Sequence, residues 1–275
     1  ALVELVRESK IKKLVVHSDD KPLTRVIYSV AASLQIEVQV IRVRPSRQKV
    51  AIKTNLKKLV PRPLLAILAL GTQLKTSLTL RSKHRPAIRS NLISIFDYWY
   101  RFAESVGKDQ KFGSQYWSDL VDHLETTEVN WWHNLVDQRQ FSELNAAKNL
   151  LTSFHRKSNH HHEIIDSTIS LKIVIRTILD HLKLVLSSMP SNKYNDVFTD
   201  PITKVNFWPL LKREWLNSLR GYEALINCLR FNRLEAQISA MPRQKMGVYL
   251  AENQPWEMAL IYLWRKHNHG KLIGV

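Results

Sequence analysis

The sequence predicts an α/β fold on a doubly wound, mostly parallel sheet. Three observations carry this. Short apolar runs alternate with amphipathic stretches. Several of those runs end in Asp- and His-rich positions. Residues 247–275 read as strand, helix, strand. Parallel neighbours need a crossover connection, usually a helix, so such alternation is the pattern of a parallel sheet.

Taken in order, residues 14–16 form a strand ending at His17, Ser18, Asp19 and Asp20. Residues 22–34 follow as a helix with Leu23, Ile27, Val30 and Leu34 on one face. Residues 37–43 are a second strand, and 48–59 and 64–80 are helices parted by Pro61 and Pro63. A third strand, 92–96, ends at Asp97 and Tyr98. Ser114 reads as the N-cap of a helix over 114–124. Residues 130–135 are a fourth strand containing Trp131, Trp132 and His133, followed by a helix over 142–155. Residues 163–165 make a short strand ending at Asp166. Helices over 171–186, 208–219 and 222–240 come next, the last two split by Gly221.

We read 1–275 as one Rossmann-like domain with a helical insertion at about 171–240. In the final unit, 248–251 is a strand and Glu252, Asn253 and Gln254 follow its end. Pro255 suits the first position of a helix. Met258, Ile261, Tyr262 and Arg265 share a helical face, Asn268 and Gly270 stop the helix, and 271–275 restarts a strand. The chain has no initiator Met and ends on Val275, at an expected strand end, so we read it as part of a longer protein.

Composition narrows the class. Apolar residues make up 44% of the chain, enough for a sizeable core. Cys228 is the single cysteine, which excludes a disulfide framework and a Cys-based zinc site. No apolar run reaches the ~18 residues expected of a membrane span. The net charge is +17, and it is concentrated: the stretch from Arg42 to Arg89 holds thirteen Lys or Arg and no Asp or Glu. Such a segment faces anions, whether phosphate groups, nucleic acid or acidic lipid. Lys49, Lys53 and Lys57 recur every four residues as a charged stripe, with Lys58 and Arg62 beside it, ahead of the apolar PLLAILAL. That profile fits contact with an anionic membrane surface as well as a solvated helix next to a core helix.

The strand-end polar residues are the first candidates for chemistry, because such ends converge on one crevice in an open α/β sheet. His17, Asp19, Asp20, Asp97, His133, Asp166 and Glu252 fall there. Glu252, Asp97 and His133 are the candidate proton-transfer groups, although Asp after a strand also caps helices and makes turns. Tyr116, Trp117, Trp131, Trp132, Trp208 and Trp215 offer stacking surfaces or core. The run His160, His161, His162, Glu163 reads as a loop, and we expect no metal site. No glycine-rich phosphate loop is present, so a nucleotide would bind in another part of the protein.

The stretch YLAENQPWEMALIYLWRKHNHGKLIGV resembles a family of bacterial surface-carbohydrate biosynthesis proteins of the O-antigen or lipopolysaccharide type, which are similar to GT-B glycosyltransferases. The match runs over Tyr249, Leu250, Glu252, Gln254, Trp256, Glu257, Ala259 and Leu260, then His269, Gly270 and residues 272–275; Asn268 stands where the family commonly has Gly. Phe112, Ser114, Tyr116, Trp117, Asp119 and Leu120 resemble a second motif, and Asn130, Trp131 and His133 a third. Trp208, Pro209, Trp215, Ser218, Leu219, Arg220 and Gly221 resemble a fourth.

The resemblance covers about residues 92–275. It implies the acceptor-side, N-terminal half of a two-domain transferase, with a nucleotide-sugar donor held by a second domain. The acceptor would be a glycan or lipid-linked hydroxyl at the inner face of the cell membrane. On this resemblance Glu252 or Asp97 would be the base and Arg220 would pair with a phosphate; Tyr116, Trp117 and Gln254, with Asp19 from the strand-end residues, are the candidate substrate-binding residues. Two other readings stand beside it: a non-catalytic scaffold of polysaccharide assembly, and a basic nucleic-acid-binding protein. No helix-turn-helix, zinc-finger or RRM signature supports the latter, so we expect no specific nucleic acid.

Overall fold

A computed structural model describes residues 12–42, 61–81, 88, 92–99, 112–114, 116–135, 144–157, 159–188 and 196–275. The chain divides into two compact units, one of Ala1–Ala66 with His181–Ala224, the other of Ile67–Asp180 with Leu225–Val275. The helices expected as one insertion over 171–240 are thus shared between them.

The first unit holds a βαβ motif. Strand β1 (Lys13–His17) pairs in parallel with β2 (Glu37–Ile41), Leu14 opposite Val38 and Val16 opposite Val40. The connecting helix α1 (Lys21–Ser33) starts where Asp20 accepts a hydrogen bond from the Leu23 N–H at 3.0 Å. Asp20 is therefore a helix cap, the ordinary role of Asp after a strand. Asp19 is exposed beside it.

The second unit is built on a five-stranded, all-parallel sheet in the order β5-β4-β3-β6-β7. The strands are β3 (Ile93–Trp99), β4 (Val129–Leu135), β5 (His160–Ile164), β6 (Met246–Tyr249) and β7 (Lys271–Gly274). Helix α2 (Arg62–Leu80) precedes them; α3 (Ser118–His123) joins β3 to β4 and α4 (Leu144–Lys157) joins β4 to β5. Helices α5 (Leu171–Ser187), α6 (Trp208–Arg220) and α7 (Tyr222–Ala240) precede β6, and α8 (Pro255–Lys266) joins β6 to β7. The chain winds outward one way from β3 and then the other way from β6. This is the doubly wound Rossmann-like arrangement, with its reversal point between β3 and β6.

Both faces of the sheet are covered, so both sides of the central strands are apolar. Ile95, Val129, Trp131, Ile164 and Val248 pack with Phe112, Trp117, Val121, Leu151 and Phe154 on one side. Phe96, Tyr98 and Trp132 pack with Leu234, Ile238, Trp256, Leu260, Leu263 and Trp264 on the other. On α8 the inward residues are thus Trp256, Leu260, Leu263 and Trp264, and the face of Met258 and Tyr262 is turned to solvent. Gly270 is required: a Cβ there would stand 1.9 Å from the Lys245 carbonyl oxygen.

Four sequence readings are corrected. Strand β3 does not stop at Phe96 but continues through Asp97 to Trp99, whereas β4 ends at Leu135 as expected and begins one residue earlier, at Val129. A buried polar residue inside a strand looks like a strand end when only apolar residues are counted. The His160–His162 run is strand β5 rather than a loop, with His160 and His162 buried. Ser114 is not a helix cap; α3 begins at Ser118. Finally, the stretch Pro63–Leu80 is long and apolar enough to cross a membrane by length and composition, at mean hydropathy 1.2 over 18 residues, with 29% of it buried. Lys75 lies inside it without lowering the average enough to break the stretch.

Candidate active site

Strand pairing decides which polar groups meet. Parallel partners in register point to the same face, so β3, β4 and β5 line up as Asp97, His133, Ile164 in one row and Ile95, Trp131, His162 in the next. One face of the sheet therefore carries Asp97, His133 and His162 together, close to the carboxyl ends of the strands and bordering the reversal point.

Asp97 is 2% exposed. Its Oδ1 accepts from the Tyr98 N–H at 2.6 Å, and its Oδ2 accepts from the Ser114 hydroxyl at 3.4 Å. Burial pushes its carboxyl up to about 7, because removing a carboxylate from water outweighs the opposing pull of the Tyr98 N–H, the Trp117 indole and the Ser114 hydroxyl. No cation pairs with it among the described residues. His133 Nε2 and His162 Nδ1 lie 3.1 Å apart, with the two rings nearly coplanar at 3°. One proton bridges such a pair. The Phe112 ring lies 4.6 Å from the His162 ring and 5.6 Å from that of His133. Further along, the Trp131 indole N–H donates to His160 Nδ1 at 3.3 Å, and His160 Nε2 donates to the Leu124 carbonyl at 3.0 Å.

A carboxyl with a pKa near neutrality exists in both forms at physiological pH and can take up or release a proton. Ser114, which bonds the Asp97 carboxylate, is half-buried, and Tyr116, two residues on, is 49% exposed. Trp117 is buried against the same carboxylate. Asp97, His133 and Trp117 thus form one neighbourhood, and Tyr116 is the exposed residue just before Trp117 in the chain.

Glu252 and Gln254 lie after β6, on the other strand of the reversal point. Both are exposed, and Asn253 between them adopts a left-handed φ of 60°, which Asn tolerates better than most residues. The loop is fixed by Glu257, in the first turn of α8: its Oε1 accepts from the Glu252 N–H and the Gln254 N–H, both at 3.0 Å. Glu257 thereby fills the anion position at the start of α8. The indole of Trp256 donates to the Tyr98 hydroxyl and ties the start of α8 to β3.

The remaining candidates lie elsewhere. Arg220, in the first unit, bonds the Ser188 hydroxyl at 2.9 Å and the Ser188 carbonyl, closing the end of α5 rather than presenting a free fork. Asp19 is in the first unit. Lys49, Lys53, Lys57 and Lys58 fall outside the described residues; Arg62 opens α2. Asp166 does follow β5, and it pairs at 2.8 Å with Arg233 of α7, whose guanidinium also bonds the Ser77 hydroxyl. Among the described residues no group of three or more His, Cys, Asp or Glu is arranged to hold a metal ion.

Sequence reading missed His162, Phe112 as its cover, and Glu257. The signal for His162 was available: His160 and His162 are two apart, and a period of two puts them on one face of a strand.

No family model, curated protein or solved structure matches this chain.

Proposed function

We propose that this chain is the acceptor-side part of a glycosyltransferase of bacterial surface-polysaccharide assembly, with Asp97 as its general base. One observation carries the reading: a buried carboxylate with a pKa of about 7 stands near the carboxyl end of the strand that borders the sheet's reversal point. In open α/β sheets that is where ligands bind. The motifs around Phe112, Trp131 and Tyr249 support the substrate class.

In this reaction the acceptor O–H approaches Asp97 along the line now taken by the Ser114 hydroxyl. Asp97 takes the proton, the acceptor oxygen forms its bond to the anomeric carbon, and the bond from that carbon to the nucleotide's phosphate oxygen breaks. The leaving phosphate carries away the electron pair. His133, next in register, and His162 behind it offer the transferred proton an onward path. The donor is a nucleotide sugar held by a further domain, the acceptor is a glycan or lipid-linked hydroxyl, and the basic stretch from Lys49 to Arg62 draws the protein to an anionic membrane surface.

The test is turnover of the complete protein on a panel of nucleotide sugars with lipid-linked or glycan acceptors, read as release of nucleoside phosphate. Removing a general base costs about 10²–10⁴-fold, so Asp97→Asn should lose at least a hundredfold in kcat while remaining folded. A base must be ionised to act, so the wild-type rate should rise through about pH 7. Full turnover by Asp97→Asn would refute Asp97 as the base.

A further inference from the structure

We propose that the outer face of α5 is a docking surface for an anionic lipid membrane. The helix is amphipathic in an unusual sense. Ile173, Thr177 and His181 are buried on its inner side. On the opposite side Leu171, Ile175, Leu179, Leu182 and Leu186 recur every three or four residues, with exposures from 42% at Leu182 to 75% at Leu171. The face of a surface helix opposite its buried stripe ordinarily carries polar residues. Here it is a continuous apolar ridge about 22 Å long at 1.5 Å per residue. Exposed apolar surface gathered on one side marks a contact with something other than water.

The edge of the ridge identifies the partner. Lys172, Arg176 and Lys183 follow one flank at spacings of four and seven residues, which keeps them on one line. Arg176 is held by Glu235 and Asp180. Lys172 and Lys183 are exposed and make no ion pair among the described residues. An apolar ridge with a basic border matches acyl chains beneath anionic headgroups. Two copies of the helix packed antiparallel would instead set this basic border against itself. A second helix shows the same inversion: α2 turns Ile67, Leu68 and Leu78 outward, with Lys75 also exposed. Both helices are fixed to α7 from within, α2 through Ser77 to Arg233 and α5 through Thr177 to Asn232.

This inference is independent of the sugar-transfer reading, and its test uses no sugar. The complete protein would be mixed with vesicles of phosphatidylcholine, alone or with phosphatidylglycerol, and bound protein measured by co-sedimentation. An environment-sensitive dye on Leu186→Cys would report insertion; the native Cys228 thiol is half-buried and pushed up to about 11, mainly by burial, so it labels slowly. The expected result is binding to the mixed vesicles, a blue shift of the dye, and about a tenfold loss of affinity in Ile175→Ser/Leu179→Ser. Lys172→Glu/Lys183→Glu should weaken the preference for anionic lipid several-fold, leaving the part supplied by the basic stretch from Lys49 to Arg62. These positions are exposed, so the fold should tolerate the changes. Binding without a blue shift, or binding unchanged in both double variants, would overturn the proposal. So would a dimer in solution that Ile175→Ser/Leu179→Ser converts to monomer while vesicle binding is unaltered.

Discussion

Asp97 on β3 and Asp166 just beyond β5 belong to the same parallel sheet, and both read from the sequence as carboxylates at strand ends. Asp166 meets a guanidinium: Arg233, 1% exposed, is 2.8 Å away. Asp97 is more deeply buried than Asp166 and meets no cation among the described residues, only a backbone N–H, a hydroxyl and an indole. Asp166 compensates a buried charge and belongs to the scaffold. Asp97 sits where its charge is penalised, and that penalty raises its pKa into the range of proton transfer. A fold retains such a group at a cost in stability, and functional sites are where such costs gather.

The contrast can be broken first through activity, where Asp97→Asn carries the largest expected effect, the hundredfold or greater loss described above. Asp166→Ala should act on stability instead. It leaves the Arg233 guanidinium buried without its partner, which costs about 3–5 kcal/mol. Urea melts should show that loss, and Asp166→Ala/Arg233→Met should recover most of it, because an apolar pair requires no compensation. If Asp166→Ala were as stable as the parent, the pair would not be structural.

Asp97→Asn should move stability the other way. The folded-state pKa is raised, so the native state binds the extra proton between the unfolded value of 3.8 and about 7. The contribution of Asp97 to stability is then fully present below 3.8 and is lost as pH rises through about 7. An amide carries no charge to desolvate. The variant should therefore gain about 2–4 kcal/mol over the parent at about pH 8 and much less at about pH 4. Equal thermal shifts at both pH values would mean that Asp97 does not titrate in this window. The smallest effect is expected at Ser114→Ala. It removes one donor at 3.4 Å, which should lift the Asp97 pKa further and shift the foot of the pH–rate profile upward, with less than about tenfold change in rate.

Much of the architecture was legible because it rests on local rules. The strand–helix–strand of residues 247–275 is read correctly from Pro255 at the helix start and from Asn268 and Gly270 at its stop. Strand β5 was read short, as 163–165, because His160, His161 and His162 count as polar in any apolar tally, whereas the strand's alternation buries two of them. The site was legible in part. Asp97 and His133 stood out as polar residues attached to apolar runs. Their being side by side, and the contact of His133 with His162, depend on the register of three strands, and register is a long-range property that the chain does not spell out locally. Glu252 looked as strong as Asp97 from sequence, yet it is exposed, and the structural work of its loop falls to Glu257 through two backbone N–H groups. The pairing of Asp166 with Arg233 spans sixty-seven residues and leaves no local trace.

The measurement that bears most directly on this account is the titration of the Asp97 carboxyl itself, by carboxyl-carbon NMR with Asp97→Asn used to assign the resonance. The account predicts a midpoint at about 7, well above the ordinary 3.8. A midpoint near 4 would mean that the carboxylate stays solvated or paired in the folded protein, and Asp97 would then have no more claim to proton transfer than Asp166.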